Sequence, residues 1–200
     1  MTAAPQVRKR IVLINGHPDP RPERFCAALA QAYVEGAAKA GHDIRRIDVA
    51  SSDAPLVRSR DAFMAPPDPA IADVQKVIAD ADHLVIIYPL WLGGPPALLK
   101  AWLEQVFRYG FALAAPGDAR GVKGLLSGRS ARVVVTMGMP AAFFRFVFFA
   151  HGLKAVSRGI LWISGMAPIR ESIIGNVEGG DLGHRLRWLS RMKALGEAGR

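Results

Sequence analysis

The chain has 200 residues, 50% of them hydrophobic and 22% charged, which sets it among globular proteins and apart from disordered ones. Its formal net charge of +9 raises nucleic acid as a partner, but the Lys and Arg residues are scattered along the chain. No dense basic run alternates with aromatics and no zinc-finger or RNA-binding signature occurs, so specific nucleic-acid binding is set aside. A single cysteine, Cys26, excludes an internal disulfide, and the most apolar region, 137–166, is broken by Arg145, His151, Lys154 and Arg158. The expectation is one soluble, cytoplasmic domain over residues 1–200 with no transmembrane segment.

Residues 10–15, RIVLIN, form a short β-branched run that predicts a central parallel strand. The loop GHPDPRPER follows, then a helix over about 24–40 with Phe25, Ala28, Leu29 and Ala32 on one face, stopped by Gly41. Residues 42–49 alternate and predict a strand nearer an edge. The segment 50–68 is rich in Pro, Ser and Asp and predicts a long loop, of a length that is uncommon unless it borders a site. An amphipathic helix over 69–81 turns Ile71, Val74 and Ile78 inward, and 83–88 is the third strand.

A short apolar loop, PLWLGG, leads from that strand to a helix over 96–107 that begins on Pro95-Pro96. Apolar Leu90, Trp91 and Leu92 at the carboxyl end of a strand call for a flat apolar ligand, and a flavin ring has that shape. A glycine-bearing loop over 112–128 precedes a fourth strand at 131–136. One apolar helix is expected to run to about Ser164, closed by Gly165. A fifth strand at 166–174 and a closing helix over 181–195, with Leu182, Leu186 and Leu189 on one face, complete the chain. Strands alternating with helices predict an α/β, doubly wound, five-stranded parallel sheet with helices on both faces. Ligands of such sheets lie outside the carboxyl ends of the strands, where strand order reverses.

Chemistry-bearing residues are few. The first loop joins a strand to a helix, so its backbone N–H groups and the helix start form an anion site, with His17, Arg21 and Arg24 adding charge or hydrogen bonds. It is neither GxGxxG nor a Walker loop; an ordinary connection stiffened by prolines fits it as well as a flavin-phosphate site does. No GxSxG, HExxH or CxxC occurs, so hydrolase and metal chemistry lack a motif and no metal site is expected. Cys26 reads as a packed residue. The phenylalanines at 143, 144, 146, 148 and 149 read as core or subunit interface more readily than as a substrate cage.

Three patches, VLINGHPDP with ERF, YPLWLGGPPALLKAWLEQVFRYGFAL and VVVTMG, occur in order over most of residues 10–138. In these the chain resembles the NAD(P)H:quinone oxidoreductase family of flavodoxin-like proteins. That family includes modulator-of-drug-activity-type quinone reductases and the ancillary subunits of potassium-efflux systems. The resemblance implies a flavodoxin-like fold and hydride transfer from NADH or NADPH through a bound flavin to a quinone or similar aromatic acceptor. The alternative is a non-enzymatic electron carrier or redox-sensing regulatory subunit. It favours FAD, with FMN possible, and it implies a homodimer with flavin sites at the subunit interface.

By the same resemblance His17 touches the flavin phosphate region and Phe25 contacts the cofactor. Pro89, Leu90, Trp91, Leu92 and Gly93 border the isoalloxazine, and Thr136 and Gly138 approach its pyrimidine side. The family pattern Thr-Thr-Gly-Gly, followed by a Tyr and a His, is here TMGMPAAFFRFVFFAHG. Met139 replaces the second glycine and a phenylalanine stands near the tyrosine. His151 is the candidate for the catalytic histidine, although a lone histidine on a helix is more often a solvated side chain.

Overall fold

The computed structural model describes residues 7–115, 117, 124–179 and 181–200. Five strands form one sheet: β1 (Arg10–Asn15), β2 (Asp43–Asp48), β3 (His83–Pro89), β4 (Ser130–Thr136) and β5 (Ile169–Ile174). All neighbours are parallel and the order is β2-β1-β3-β4-β5. The chain leaves β1 toward one edge and then builds β3, β4 and β5 toward the other, so the switch point lies between β1 and β3. β3 is buried at every residue, as a strand covered on both faces must be, whereas β2 at the edge is nowhere fully buried.

One face of the sheet presents Ile11, Leu13, Val85, Ile87, Val134 and Ile174 to helices α1 (Phe25–Lys39) and α7 (Leu182–Glu197). These two helices touch backbone to backbone. A Cβ on Gly36 would stand 2.0 Å from the Lys193 carbonyl oxygen, and one on Gly196 would stand 2.1 Å from that of Tyr33. The other face carries Val12, Ile14, Ile86, Tyr88, Val133 and Val135 beneath helices α3 (Pro69–Ala79) and α4 (Ala97–Val106) and the segment after β4. On α3, Ile71 and Ile78 are buried and Val74 is partly so, as the period predicts.

Several expectations need correction. The segment 50–68 is not one loop: a 3-10 turn, Val49–Ser51, and a short helix, α2 (Arg60–Met64), lie at its two ends. Ser59 caps α2 by accepting from the Ala62 N–H at 3.0 Å. Five residues are too few to show a helical period, and α2 rests near α4, where Phe63 meets the Tyr109 ring edge-on. The apolar helix after β4 is two helices, α5 (Ala141–Phe146) and α6 (His151–Val156), followed by a π-helical turn, Ser157–Trp162. Phe149 and Ala150 break it with positive φ angles of 50° and 51°, and no Gly or Pro marks that break in the sequence. β5 starts at Ile169, after a cis Ala167-Pro168 bond.

On α7 the inward residues are Met192 and Gly196, with Trp188, Leu189 and Leu195 packed beside them. Leu182 and Leu186 face solvent, because the helix approaches α1 through its glycine and not through a leucine stripe. Of the five phenylalanines after β4, only Phe144 is buried. The expected glycine-bearing loop lies partly outside the described residues, Gly121 included. No described helix is long and apolar enough to cross a membrane.

Candidate functional site

A cavity of about 410 Å³ opens at the carboxyl ends of β1, β3 and β4, across the switch point. Its first wall is the loop after β1. The Gly16 N–H donates to the Ile87 carbonyl at 2.7 Å, which ties the loop's first residue to β3. A Cβ on Gly16 would stand 2.6 Å from the Leu99 side chain, so a larger residue there would require that side chain to shift. The loop then bonds to itself. The His17 N–H donates to Asn15 Oδ1, the Asp19 N–H to His17 Nδ1 at 3.0 Å, and the Arg21 N–H to Asp19 Oδ1 at 3.1 Å. These turns of side chain onto backbone fix a proline-rich segment in one conformation.

His17 accepts through Nδ1, so its ring is neutral with the proton on Nε2. Burial pushes its pKa below the ordinary value, against the opposing pull of Asp19. Asp19 is held below the usual carboxylate range, first by the Arg21 N–H and then by the Arg21 guanidinium. Arg24 also pairs with Asp19, its Nε donating at 2.7 Å. Two arginines therefore flank one carboxylate and leave a surplus positive charge. Helix α1 adds to it: Arg24 offers no side-chain acceptor to cap the helix, and no acidic residue occupies the first turn.

The second wall is the exit from β3. The Leu90 N–H continues the sheet onto the Thr136 carbonyl at 2.7 Å. The backbones of Trp91 and Gly94 exchange hydrogen bonds of 2.9 and 3.0 Å around Leu92 and Gly93, whose φ angles are 48° and 81°. Positive φ at both central residues makes a tight reversal of the hairpin kind. It throws Leu92 fully into solvent, at 109% relative exposure. Leu90 packs against the core instead. Of the apolar PLWL stretch, Pro89 and Trp91 line the cavity, and the Trp91 ring meets His17 edge-on at 6.0 Å.

The third wall is the exit from β4. Buried Thr136 places Oγ1 3.4 Å from the Cys26 sulfur. Burial pushes the Cys26 thiol up to about 11, so it stays protonated and packs as a small apolar group. Gly138 lies just beyond, where a Cβ would stand 3.4 Å from Glu178 Oε2.

Of the residues expected at a site, the cavity brings together His17, Arg24, Phe25, Pro89, Trp91 and Thr136. Leu90, Leu92, Gly93 and Gly138, also expected there, are outside its lining. His151 is outside it too. It is exposed at the start of α6, its ring 5.9 Å from that of Phe149. The next residue, Gly152, abuts the turn so closely that a Cβ there would stand 1.9 Å from the Gly93 carbonyl oxygen. His151 thus stands beside the Leu92–Gly93 reversal and not within the cavity.

Sequence reasoning missed Asp19, Val177 and Glu178. Asp19 sat inside the quoted loop and could have been read from its spacing to two arginines. Val177 and Glu178 follow β5, and only the strand order brings that exit beside β4. A larger cavity, about 680 Å³, opens beside the first residues of β5 between Ser157, Trp162 and Glu171, away from the strand carboxyl ends.

Comparison with known proteins agrees with this architecture. The family described as "Flavodoxin-like fold" matches residues 9–188. A ribosyldihydronicotinamide dehydrogenase [quinone] of Homo sapiens is 36% identical over 92 residues, which are 46% of this chain and 37% of that protein. FMN-dependent NADH:quinone oxidoreductase 2 of Jannaschia sp. (strain CCS1) is 36% identical over 88 residues, 39% of this chain and 41% of that protein. The chain thus spans less than half the length of these curated relatives. The solved structure of an NAD(P)H:quinone oxidoreductase from Methanothermobacter marburgensis superposes with a TM-score of 0.80, covering 97% of this chain and 100% of that one at 22% identity. At that identity the likeness is one of fold.

Proposed function

The chain belongs to the family of flavodoxin-like fold, and from that premise we propose that it is a cytoplasmic, FMN-dependent NAD(P)H:quinone oxidoreductase. The carrying observation is the cavity at the β1/β3 switch point, which joins a cationic helix start to an aromatic wall. Sheets of this order hold their nucleotides there. Two relatives with quinone reductase names support the acceptor class. FMN replaces the FAD that the resemblance favours, because FMN is the cofactor in the name of the Jannaschia relative.

The residues suit that group. The N–H groups at the start of α1, with Arg21 and Arg24, would take the phosphate. Trp91, Pro89 and Phe25 would border the ring system, and Thr136 would bond its polar edge. The flavin supplies the hydride and electron chemistry when bound; the protein supplies position and field. The neutral imidazole of His17 holds the phosphate loop in shape through the Asp19 N–H. His151, exposed beside the Leu92–Gly93 turn and outside the cavity lining, is the proposed proton donor to an acceptor bound over that turn.

We further propose a homodimer. Phe146, Phe149 and Trp162 are 72%, 59% and 65% exposed, large apolar side chains that a second copy would cover.

The experiment is a visible spectrum of purified protein, chromatography of the released cofactor, and anaerobic addition of NADH and NADPH. FMN that bleaches on addition and recolours with a quinone supports the reading. A colourless protein that takes up no flavin overturns it. Flavin that bleaches but recolours slowly with every quinone identifies an electron carrier instead.

A further inference from the structure

The last strand of the sheet leaves half of its backbone unpaired. β5 has a neighbour on one side alone, β4. The Ala131 N–H donates to the Pro168 carbonyl at 3.0 Å and the Met137 N–H to that of Ile174 at 2.9 Å, so the even-numbered residues of β5 turn their backbone groups toward β4. The N–H and C=O groups of Ile169, Glu171 and Ile173 point the other way and have no partner among the described residues. None of these three residues is fully buried. Two cavities, of about 680 and 420 Å³, lie along this edge and meet at Glu171. We propose that the free edge of β5 is the docking site for an extended, acidic segment of another protein, which adds to the sheet as a further strand.

Charge identifies the occupant. Successive residues of an added strand point to opposite faces of the sheet, and cations border both faces here. On the side of α5 and the π turn stand Arg145 and Arg158. On the side of α7 stands Arg191, its guanidinium 4.9 Å from the centre of the Trp188 ring. All three arginines are exposed, and among the described residues none makes an ion pair. The one acid lining either cavity is Glu171, whose Oε1 already accepts from Ser157 Oγ at 2.6 Å. A carboxylate on either face of the incoming strand therefore meets a guanidinium, and the backbone of β5 supplies the hydrogen bonds that hold the strand.

A second copy of this chain fits the edge badly. Two β5 strands paired across a two-fold axis would set the same arginines against each other, and each copy carries a net charge of +9. Charged side chains along an open edge discourage pairing between like copies, and a strand of opposite charge is the pairing they permit. The dimer proposed above uses exposed aromatic side chains and not the backbone of β5.

The test adds three blocked octapeptides to the whole chain: alternating Glu and Thr, alternating Lys and Thr, and the Glu peptide N-methylated at two adjacent central residues, which closes both of its edges. Binding is read by titration at low and high salt, and pairing by amide hydrogen exchange in the protein. The Glu peptide is expected to bind at least about tenfold more tightly than the Lys peptide or the N-methylated one, and to weaken as salt rises. It is expected to protect the amides of Ile169, Glu171 and Ile173, while those of Arg170, Ser172 and Ile174, already turned toward β4, change little. The doubly reversed variant Arg145→Glu, Arg191→Glu, checked by melting for an intact fold, is expected to lose about tenfold or more in affinity for the Glu peptide. A Glu peptide that binds without protecting the three odd-numbered amides is held by surface charge alone and overturns the proposal, as does equal binding of the N-methylated peptide or no binding at all. Protection of those amides in the free protein that grows with protein concentration shows the edge covered by a second copy and also overturns it.

Discussion

The two faces of the sheet are finished in different ways. Under α1 and α7 the contact is closed within the chain, with helix backbones touching at Gly36 and Gly196 and with His83 and Arg132 buried at the strand starts. On the other face, α5, α6 and the π turn leave Phe143, Phe146, Phe149 and Trp162 in solvent. The first face is closed by helix against helix within the chain; the second leaves large apolar side chains exposed.

The sharpest way to break this contrast is to prise the closed face apart. Gly36→Val places carbon on the Lys193 carbonyl and is expected to cost about 4 kcal/mol or more, read as loss of a cooperative melting transition. A variant that melts like the wild type would show that the helices can separate without harm.

The next effect comes from His83. Its Nδ1 is bonded to Ser130 Oγ at 2.8 Å, while Nε2 is buried without a partner among the described residues. Burial lowers its pKa to about 3, aided by Lys9, Arg132 and Arg170. Folding holds this histidine neutral, so below the unfolded value near 6.5 the unfolded chain binds the extra proton. Stability is therefore full above about pH 6.5 and falls as pH drops toward 3, by up to about 1.4 kcal/mol per pH unit. Denaturant titrations of the wild type and His83→Leu across that window should diverge with this slope; parallel curves would reject it.

On the open face the effects are smaller and fall on ligands. Trp91→Ala is expected to weaken flavin binding about tenfold with the melting temperature nearly unchanged, measured by fluorescence titration. Smallest in stability is Phe146→Ser, which should move unfolding free energy by less than about 0.5 kcal/mol while shifting sedimentation toward monomer. A destabilised monomeric Phe146→Ser would mean that the open face also contributes to folding.

The sequence was legible where local signals coincide. β1, β3 and β4 are continuous apolar runs, and their order with the intervening helices predicted the parallel sheet. The loop after β1 and the Pro89–Trp91 stretch led to the cavity because both follow a strand directly. What was lost depended on backbone geometry that side-chain type does not announce. Leu92 reads as part of an apolar wall, yet its φ of 48° turns it outward. Phe149 and Ala150 break a helix that their composition would continue. Glu178 belongs to the cavity only because β5 pairs with β4, a long-range fact. Leu182 and Leu186 suggested an inward stripe, but two glycines set the helix contact.

The hydrogen-bonded chain through Asn15, His17, Asp19 and Arg21 has a consequence for how a ligand is received. A loop that satisfies its own donors has met its ordering cost during folding, so little conformational entropy remains to be lost on association. The cavity is in this sense preorganised. Its amides should resist hydrogen exchange equally with and without a bound molecule, and the binding rate should be limited by encounter and not by rearrangement of this wall.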